Sequence, residues 1–314
     1  MSSEKDMIRM LLERQADNVS RANEDIRKKS ITKSESKKIG LPSWYHLNKY
    51  GEQVMTELKG LVEDKIPTML IGGTGMGKTV MLQAIAKELG REDVGFNCYT
   101  GMDIQPLIGI WRPQGDGTVT WQDGVLTQGI RNGAIIRIEE YTRANPELKS
   151  RLFGILDSQN RSWNMIEAGI DNVDIHEDTT IVASANPTGS GYVGTMREDR
   201  ASMSRFGAVM EIYEPLADEQ KALMSTLNDK NAVERIMRFA ELVRKDKATY
   251  VSTRDLHFLA LAFKRGIDPQ RAMYMVLTPK YEGHQDSIIT HARAVFESFD
   301  GVEVEKAVNE TIGD

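Results

Sequence analysis

A glycine-rich turn that ends in lysine and threonine contains the residues of this sequence best suited to chemistry. It follows a short apolar run, Met69–Ile71, and fits the pattern G-x-x-x-x-G-K-[ST]. Glycines let the backbone aim its N–H groups at phosphate oxygens, and the helix expected next points its positive end at the same anion. The lysine supplies a cation for the β- and γ-phosphates, and the threonine an oxygen for Mg²⁺. We predict a nucleotide site formed by Gly72, Gly73, Thr74, Gly75, Met76, Gly77, Lys78 and Thr79.

Polar residues that follow two further apolar runs could complete such a site. Hydrolysis of a nucleotide needs metal support and a group that orients or deprotonates the attacking water. Glu139 and Glu140 follow one run, and Asn186 follows another. Ligands of open α/β sheets bind at the carboxyl ends of the strands, so these side chains are expected beside the phosphates. Arg137 interrupts its run and is unusual for a strand covered on both faces.

Apolar runs and helical periodicity predict an α/β domain followed by a helical one. Strands are expected at 69–71, 94–98, 134–138, 180–184 and 208–212, with helices between them. Helical periodicity without strands covers 217–227, 230–246, 253–265 and 268–277, and the tail 284–309 could add one helix. We predict a large nucleotide-binding domain over 41–215, a helical lid over 216–282, and a C-terminal helix or tail over 283–314.

Two excursions interrupt this alternation. Trp111 and Trp121 flank a turn at Gly115–Gly117, which predicts a β-hairpin inserted at about 108–124. Residues 163–174 predict a second hairpin. A hairpin inserted into an α/β domain is rarely needed for the core, so the first is a candidate contact surface. The alternative, that its two tryptophans only pair with each other, stays open.

Composition and charge narrow the class of protein. The net charge of −6 gives no overall signal for nucleic acid. Residues 1–40 predict a charged, partly flexible arm whose basic stretch, 27–38, could instead dock on a neighbouring subunit, a partner or nucleic acid. Cys98 is the single cysteine, which excludes an internal disulfide and suits a reducing compartment. With no signal peptide or membrane span predicted, a cytoplasmic location is expected.

The order of these motifs resembles that of an AAA+ ATPase. The resemblance covers about residues 41–280 and includes Gly72–Thr79, 135–140, Ser184–Pro187, Ser204–Phe206 and Ser252–Arg254. It is greatest for the MoxR group, with its CbbQ/NorQ- and cobaltochelatase-type members. Gly133–Ala144 is similar to that group's Walker B segment, 107–124 to its helix-2 hairpin and 163–174 to its pre-sensor hairpin. The fold implied is a five-stranded parallel P-loop sheet between helices, followed by a small helical lid.

The resemblance implies roles for residues that contact the nucleotide within one subunit. Lys78 and Thr79 match Walker A, Glu140 matches the catalytic glutamate of Walker B, and Asn186 matches sensor 1. Glu139 stands where Walker B normally has aspartate, and would contact Mg²⁺ through water. Its extra methylene is expected either to loosen that contact or to be compensated by a shift of the strand. This puts the hydrolysis rate in doubt more than nucleotide binding.

Two arginines are implied to act on the nucleotide from other directions. Arg205 matches the arginine finger, which reaches the nucleotide of the neighbouring subunit, and Arg200 is a second candidate for that role. Arg254 matches sensor 2 at the start of a lid helix. A finger acting between subunits implies a ring or open spiral, and the resemblance suggests six subunits.

The resemblance implies ATP and Mg²⁺ as cofactors, and a client or adaptor protein that in this group often has a von Willebrand factor A domain. The expected function is ATP-driven remodelling of a partner, as a chaperone or in cofactor or metal insertion. A nucleic-acid or phage/restriction assembly motor is not favoured, because the net charge is negative. A further alternative, suggested by Glu139, is a nucleotide-dependent structural ring that hydrolyses slowly. A small-molecule P-loop kinase would not need Arg205 and Arg254 in this order.

Overall fold

A computed structural model of the chain describes residues 41–115, 117–157, 161–170, 172–187, 200–246, 250–281 and 283–296. The arm predicted over 1–40 and the part of the predicted tail helix beyond residue 296 lie outside the described residues. No helix within these ranges has the length and apolar character that a membrane span needs.

The elements follow one another as strands and helices in the order predicted. The strands are β1 (Thr68–Gly72), β2 (Asp93–Asn97), β3 (Gly109–Pro113), β4 (Val119–Asp123), β5 (Ile135–Glu139), β6 (Thr180–Ala185) and β7 (Ala208–Ile212). The helices are α1 (Lys49–Glu63), α2 (Lys78–Glu88), α3 (Gln105–Ile108), α4 (Val125–Asn132), α5 (Pro146–Leu156), α6 (Arg200–Met203), α7 (Glu219–Leu227), α8 (Lys230–Lys245), α9 (Thr253–Lys264), α10 (Pro269–Val276) and α11 (Gln285–Arg293).

Five of the strands form a parallel sheet in the order β2-β5-β6-β1-β7. Successive side chains of a strand point to opposite faces, so each strand contributes to two layers. Met69 and Ile136 pack in one apolar cluster with α4 and α5, whereas Leu70 and Ile135 pack in another with α1 and α2. The predicted five-stranded parallel sheet between two helical layers is therefore confirmed, and its carboxyl edge carries the candidate site.

The inserted hairpin is formed by β3 and β4, which pair antiparallel with Trp111 opposite Trp121. The two indole rings meet edge to face with their centroids 5.5 Å apart. Trp121 is half-buried and its Nε1 donates to Asp123 Oδ1 at 2.9 Å, while Trp111 is 52% exposed. The tryptophans do pair, but the pairing leaves one ring largely accessible.

The second excursion is a reduced form of the predicted hairpin. Its described residues make an isolated antiparallel bridge between Met165 and Ile170 around a short 3-10 turn, Ile166–Ala168, instead of a ladder. Trp163, Met165 and Val173 are buried in the core cluster, and Trp163 Nε1 donates to Thr127 Oγ1 at 3.1 Å. This segment follows the surface of the core because its side chains are packed into it.

Helices α7 to α11 form a separate helical unit with its own core. Its buried side chains include Phe239, Leu256 and Met273, and also Ile288 and Phe296. The last two belong to α11 and the residues after it, so the packed unit continues past the predicted boundary at 282, to residue 296.

A buried ion pair ties the start of α7 to the end of α8. Arg244 donates from Nη1 and Nη2 to the two carboxylate oxygens of Glu219, at 2.7 and 2.8 Å. Thr253 Oγ1 donates to the same carboxylate at 2.6 Å, and Arg244 also donates to the carbonyl of Val251. This pair therefore fixes the residues that precede α9.

We expect Arg244→Met to lower the free energy of unfolding by about 3 kcal/mol, because the Glu219 carboxylate, 7% exposed, would lose its buried counter-charge. Urea unfolding of the purified chain measures the change. Lys245→Met is the matched control, since this neighbour pairs with Glu241 in solvent and its loss should leave stability unchanged. Equal effects of the two substitutions would contradict the assignment.

Candidate nucleotide-binding site

The glycine-rich turn holds a lysine ammonium against two of its own backbone carbonyls. Lys78, the first residue of α2, donates from Nζ to the carbonyl oxygens of Gly72 and Gly73 at 2.6 and 3.0 Å. The pKa of Lys78 is lowered to about 8, mainly by burial; Glu140 and Glu139 act to raise it, and the nearby charge of Arg254 acts with burial to lower it. Two carboxylates and a second cation thus lie close enough to act on this ammonium.

Two residues from outside the sheet lie against the turn. Gly77 has φ of +106°, and a Cβ there would lie 1.8 Å from Tyr45 Oη. Gly75 has φ of +77°, and a Cβ there would lie 2.6 Å from Ser252 Oγ. Glycine is required at both positions by conformation and by close approach. The N-terminal segment and the lid therefore both contact the turn directly.

The carboxyl ends of β5 and β6 bring Glu140 and Asn186 together. Asn186 is buried, and its Nδ2 donates to both oxygens of the Glu140 carboxylate at 3.0 and 3.2 Å. Glu140 has φ of +55°, an unusual conformation for a residue with a side chain. Arg143 Nε lies 3.6 Å from the same carboxylate. The Glu140 side chain is thus held from two sides at the strand end, facing the turn.

Thr79 and Glu139 offer oxygen ligands for a divalent cation. Glu139 shares a face of β5 with Ile135, which packs with Met81 and Leu82 of α2, so Glu139 lies on the α2 side of the sheet near Thr79. A hydroxyl and a carboxylate suit Mg²⁺, which also binds phosphate oxygens and waters. Within the described ranges no group of three His, Cys, Asp or Glu side chains could hold a metal.

Arg205 lies at the surface, on the segment between α6 and β7. Its guanidinium stacks 4.4 Å from the ring centroid of Phe153, and its side chain is exposed. The next residue, Phe206, is buried and meets the ring of Tyr141 edge to face. An anchored Phe206 therefore presents Arg205 outward. The side chain of Arg200, the second predicted finger, lies outside the part of the chain that the structure describes.

The capped start of α9 positions Arg254 beside the turn. Ser252 caps the helix and exchanges hydrogen bonds with Asp255. Asp255 also accepts from Lys280 Nζ and Tyr281 Oη, both at 2.7 Å. Burial alone would raise the pKa of Asp255, but these hydrogen bonds outweigh it and lower the pKa. Arg254 projects from this fixed segment with an exposed side chain, close enough to lower the pKa of Lys78.

Two residues near the site were not predicted as part of it. Tyr45 is buried, and its Oη has no hydrogen-bond partner among the described residues, although it lies against Gly77. Its only signal in the sequence was a place in an apolar segment. Cys98, just after β2, is also buried, and burial raises the pKa of its thiol to about 12. The resting thiol is therefore protonated and unreactive.

Known proteins resemble this chain across the site. A model of the family described as AAA domain (dynein-related subfamily) matches residues 67–206. The chain is 27% identical to protein CbbQ of Hydrogenophilus thermoluteolus, over 81% of this chain and 91% of that protein. It is 28% identical to protein NorQ of Paracoccus denitrificans, over 66% and 77% of the two chains. It is 26% identical to the denitrification regulatory protein NirQ of Pseudomonas aeruginosa, over 68% and 82%.

Residues 67–206 carry an AAA domain, and the similarity to CbbQ, NorQ and NirQ supports the MoxR type. The resemblance predicted from the motifs is thereby confirmed, and an AAA domain implies ATPase activity. The AAA domain contains the glycine-rich turn, Glu139, Glu140, Asn186 and Arg205, while Arg254 lies beyond it, in the helical unit. The site therefore combines residues from both parts of the folded chain.

We expect nucleotide binding to the AAA domain to take up protons near pH 8. About half of the Lys78 side chains are neutral at that pH in the free protein, and phosphates stabilise the charged form. Calorimetry of ATPγS binding in two buffers of different ionisation enthalpy should give an uptake of roughly half a proton per site, falling towards zero at pH 6.5. Lys78→Arg keeps a permanent cation, so it should abolish the uptake. An uptake unchanged in that variant would exclude Lys78 as its source.

Proposed function

We propose that this protein is a ring-forming MoxR-type ATPase that binds ATP with Mg²⁺, hydrolyses it and uses the cycle to remodel a partner protein. The observation that carries the proposal is the convergence of Lys78, Glu140 and Asn186 at one edge of the sheet. Asn186 fixes the Glu140 carboxylate with two hydrogen bonds. The charges of Lys78 and Glu140 attract each other across the turn. A cation for phosphates and a fixed base beside it suit nucleotide hydrolysis.

Each of these side chains has a defined part in the proposed reaction. Lys78 exchanges its carbonyl partners for the β- and γ-phosphates, and its charged form is then favoured. Glu140 accepts a proton from the water that attacks the γ-phosphate, while Asn186 keeps the carboxylate and that water in place. Thr79 and Glu139 would hold Mg²⁺, directly and through water, and the ion would neutralise charge that develops on the phosphates.

Arg205 is proposed to complete the site of the next subunit. Its side chain is exposed, with the guanidinium over the ring of Phe153. A heterologous contact that repeats around a closed ring brings one subunit's surface to the next subunit's site. A hexamer is the ring that the AAA+ resemblance suggests. Loss of the γ-phosphate would remove the contacts of Arg205 and Arg254, and so couple hydrolysis to movement between the subunits.

Mixing two inactive variants tests this arrangement. We expect Arg205→Ala and Glu140→Gln to bind ATP but each to lose at least about a hundredfold in ATPase rate. In an equimolar mixture, roughly a quarter of the interfaces join an intact Glu140 to an intact Arg205, so about a quarter of the wild-type rate should return. The phosphate released by each variant and by the mixture gives the answer.

The Glu140→Gln variant also tests assembly, because it should hold ATP without hydrolysing it. Light scattering with and without ATP should show a larger mass with ATP. No recovery of activity in the mixture, despite assembly, would show that Arg205 acts within its own subunit or not at all. Absence of both ATP binding and assembly would refute the proposed function as a whole.

The inserted hairpin is proposed to contact the partner protein. It exposes Trp111 and Val119 on the face that they share with Trp121, and Ile110 on the opposite face, whereas Trp121 is held by its hydrogen bond to Asp123. A hairpin with one anchored and one accessible tryptophan can present an apolar surface without losing its own structure. Exposed aromatic residues of this kind are common at protein interfaces. A partner with a von Willebrand factor A domain is one candidate that the MoxR resemblance suggests.

We expect Trp111→Ser to abolish retention of the partner by ATP-bound Glu140→Gln protein, while ATPase activity in the otherwise wild-type chain stays within about twofold. Affinity capture from the source cells, read by mass spectrometry, compares the two samples. Tyr213→Ser is the matched control, since this aromatic is 74% exposed but lies after β7. If Trp111→Ser protein keeps every ATP-dependent partner, the hairpin is not the contact surface.

A further inference from the structure

A buried group of three charged side chains connects β2 to the carboxyl end of β5. Arg137 Nε and Nη2 donate to the two oxygens of Asp93 at 3.1 and 3.0 Å, and Arg137 Nη1 donates to Oε1 of Glu139. The three side chains are 11%, 18% and 22% exposed. Burial alone would lower the pKa of Arg137, but its two carboxylate partners outweigh burial and raise the pKa. The guanidinium is therefore permanently charged.

The sheet makes room for this guanidinium. Arg137 is paired with Gly95 of β2, and a Cβ at Gly95 would lie 2.1 Å from Arg137 Nη2. Any larger residue at Gly95 would have to displace the arginine. Arg137 and Glu139 alternate with buried isoleucines, so both lie on the face of β5 that α2 covers. The arginine thus lies along the strand from Glu139, on the side of the nucleotide turn.

Burying three charges costs desolvation energy, and apolar side chains of similar size would often stabilise the sheet as well or better. What the three charges provide instead is a fixed geometry for the side chains. Two hydrogen bonds that Arg137 donates to Asp93 fix the plane of the guanidinium, and a third, donated to Glu139, then fixes one oxygen of that carboxylate. A glutamate has one more rotatable bond than an aspartate, and this contact removes the freedom that the bond adds.

We propose that Arg137 is a positioning residue that holds the Glu139 carboxylate in place for the water shell of Mg²⁺, and so compensates for the longer side chain at this Walker B position. The inference rests on the proposed function, because it assumes that Glu139 contacts Mg²⁺ through water. Arg137 itself touches neither nucleotide nor metal. It follows that Arg137 matters for binding in the presence of Mg²⁺ and not for binding of the nucleotide alone.

The test measures the affinity for fluorescently labelled ATPγS by fluorescence anisotropy, once with Mg²⁺ and once with EDTA. The ratio of the two dissociation constants gives the Mg²⁺-dependent gain in affinity. We expect Arg137→Met to reduce this gain about tenfold, as removal of a residue that orients a metal ligand commonly does, while the affinity in EDTA stays unchanged. In the Glu139→Asp background the same substitution should have no further effect, because the shorter side chain does not reach the guanidinium and makes the usual contact by itself.

Arg91→Met is the control for a purely structural effect. Arg91 is also partly buried and hydrogen-bonds to backbone carbonyls, among them Gly133, at the opposite end of β5, so it should change urea stability without changing the Mg²⁺-dependent gain. If Arg137→Met does not fold, Arg137→Lys keeps the charge but not the fork, and the gain should fall by about threefold.

Three outcomes would overturn the inference. The first is an unchanged Mg²⁺-dependent gain in Arg137→Met or, should that variant not fold, in Arg137→Lys. The second is a loss of affinity in EDTA as large as the loss with Mg²⁺. The third is an effect of the substitution in the Glu139→Asp background as large as in the wild-type background. A wild-type protein that binds ATPγS with no Mg²⁺-dependent gain would also refute the metal site of the proposed function. A gain in the wild type with none of the expected changes in the variants would refute only the role of Arg137.

Discussion

The close approach of two side chains to the glycine-rich turn is the constraint on which the rest of the structure depends. Tyr45 lies against Gly77 from the N-terminal side, and Ser252 lies against Gly75 from the helical unit. Both glycines are in left-handed conformations as well, so neither position has an alternative residue. The turn, which is the candidate nucleotide site, is therefore also the point where three parts of the folded chain meet. A change in its backbone would be transmitted to the helical unit through Ser252.

Several charged side chains around the turn are held by polar partners. Lys78 lies among carbonyls and faces two glutamates, Glu140 is held by Asn186, and Glu139 is held by Arg137. In the helical unit, Glu219 and Asp255 are each satisfied by several donors. Buried polar networks of this kind are stable only when every member is paired.

Much of the fold could be predicted because apolar periodicity is local. The sheet strands and helices α7 to α10 were located to within a few residues, and the strand ends led to Glu139, Glu140 and Asn186. Contacts between distant segments could not be predicted in this way. Arg137 was seen only as an irregularity, because its partner Asp93 is 44 residues away and meets it only through the sheet order β2-β5. Likewise, the hairpin predicted at 163–174 is reduced to one bridge because burial of Trp163 and Met165 determines its path.

The protonated, buried thiol of Cys98 has a practical consequence for following the motions of this protein. Because it is the chain's single cysteine and its pKa is raised to about 12, maleimide reagents near neutral pH should leave it unmodified in the folded state. A second cysteine introduced at Lys264, an exposed residue of α9, would then be the only site that takes a fluorophore or spin label. The natural chain thus already provides the background for following the helical unit with a probe, without replacement of its buried cysteine.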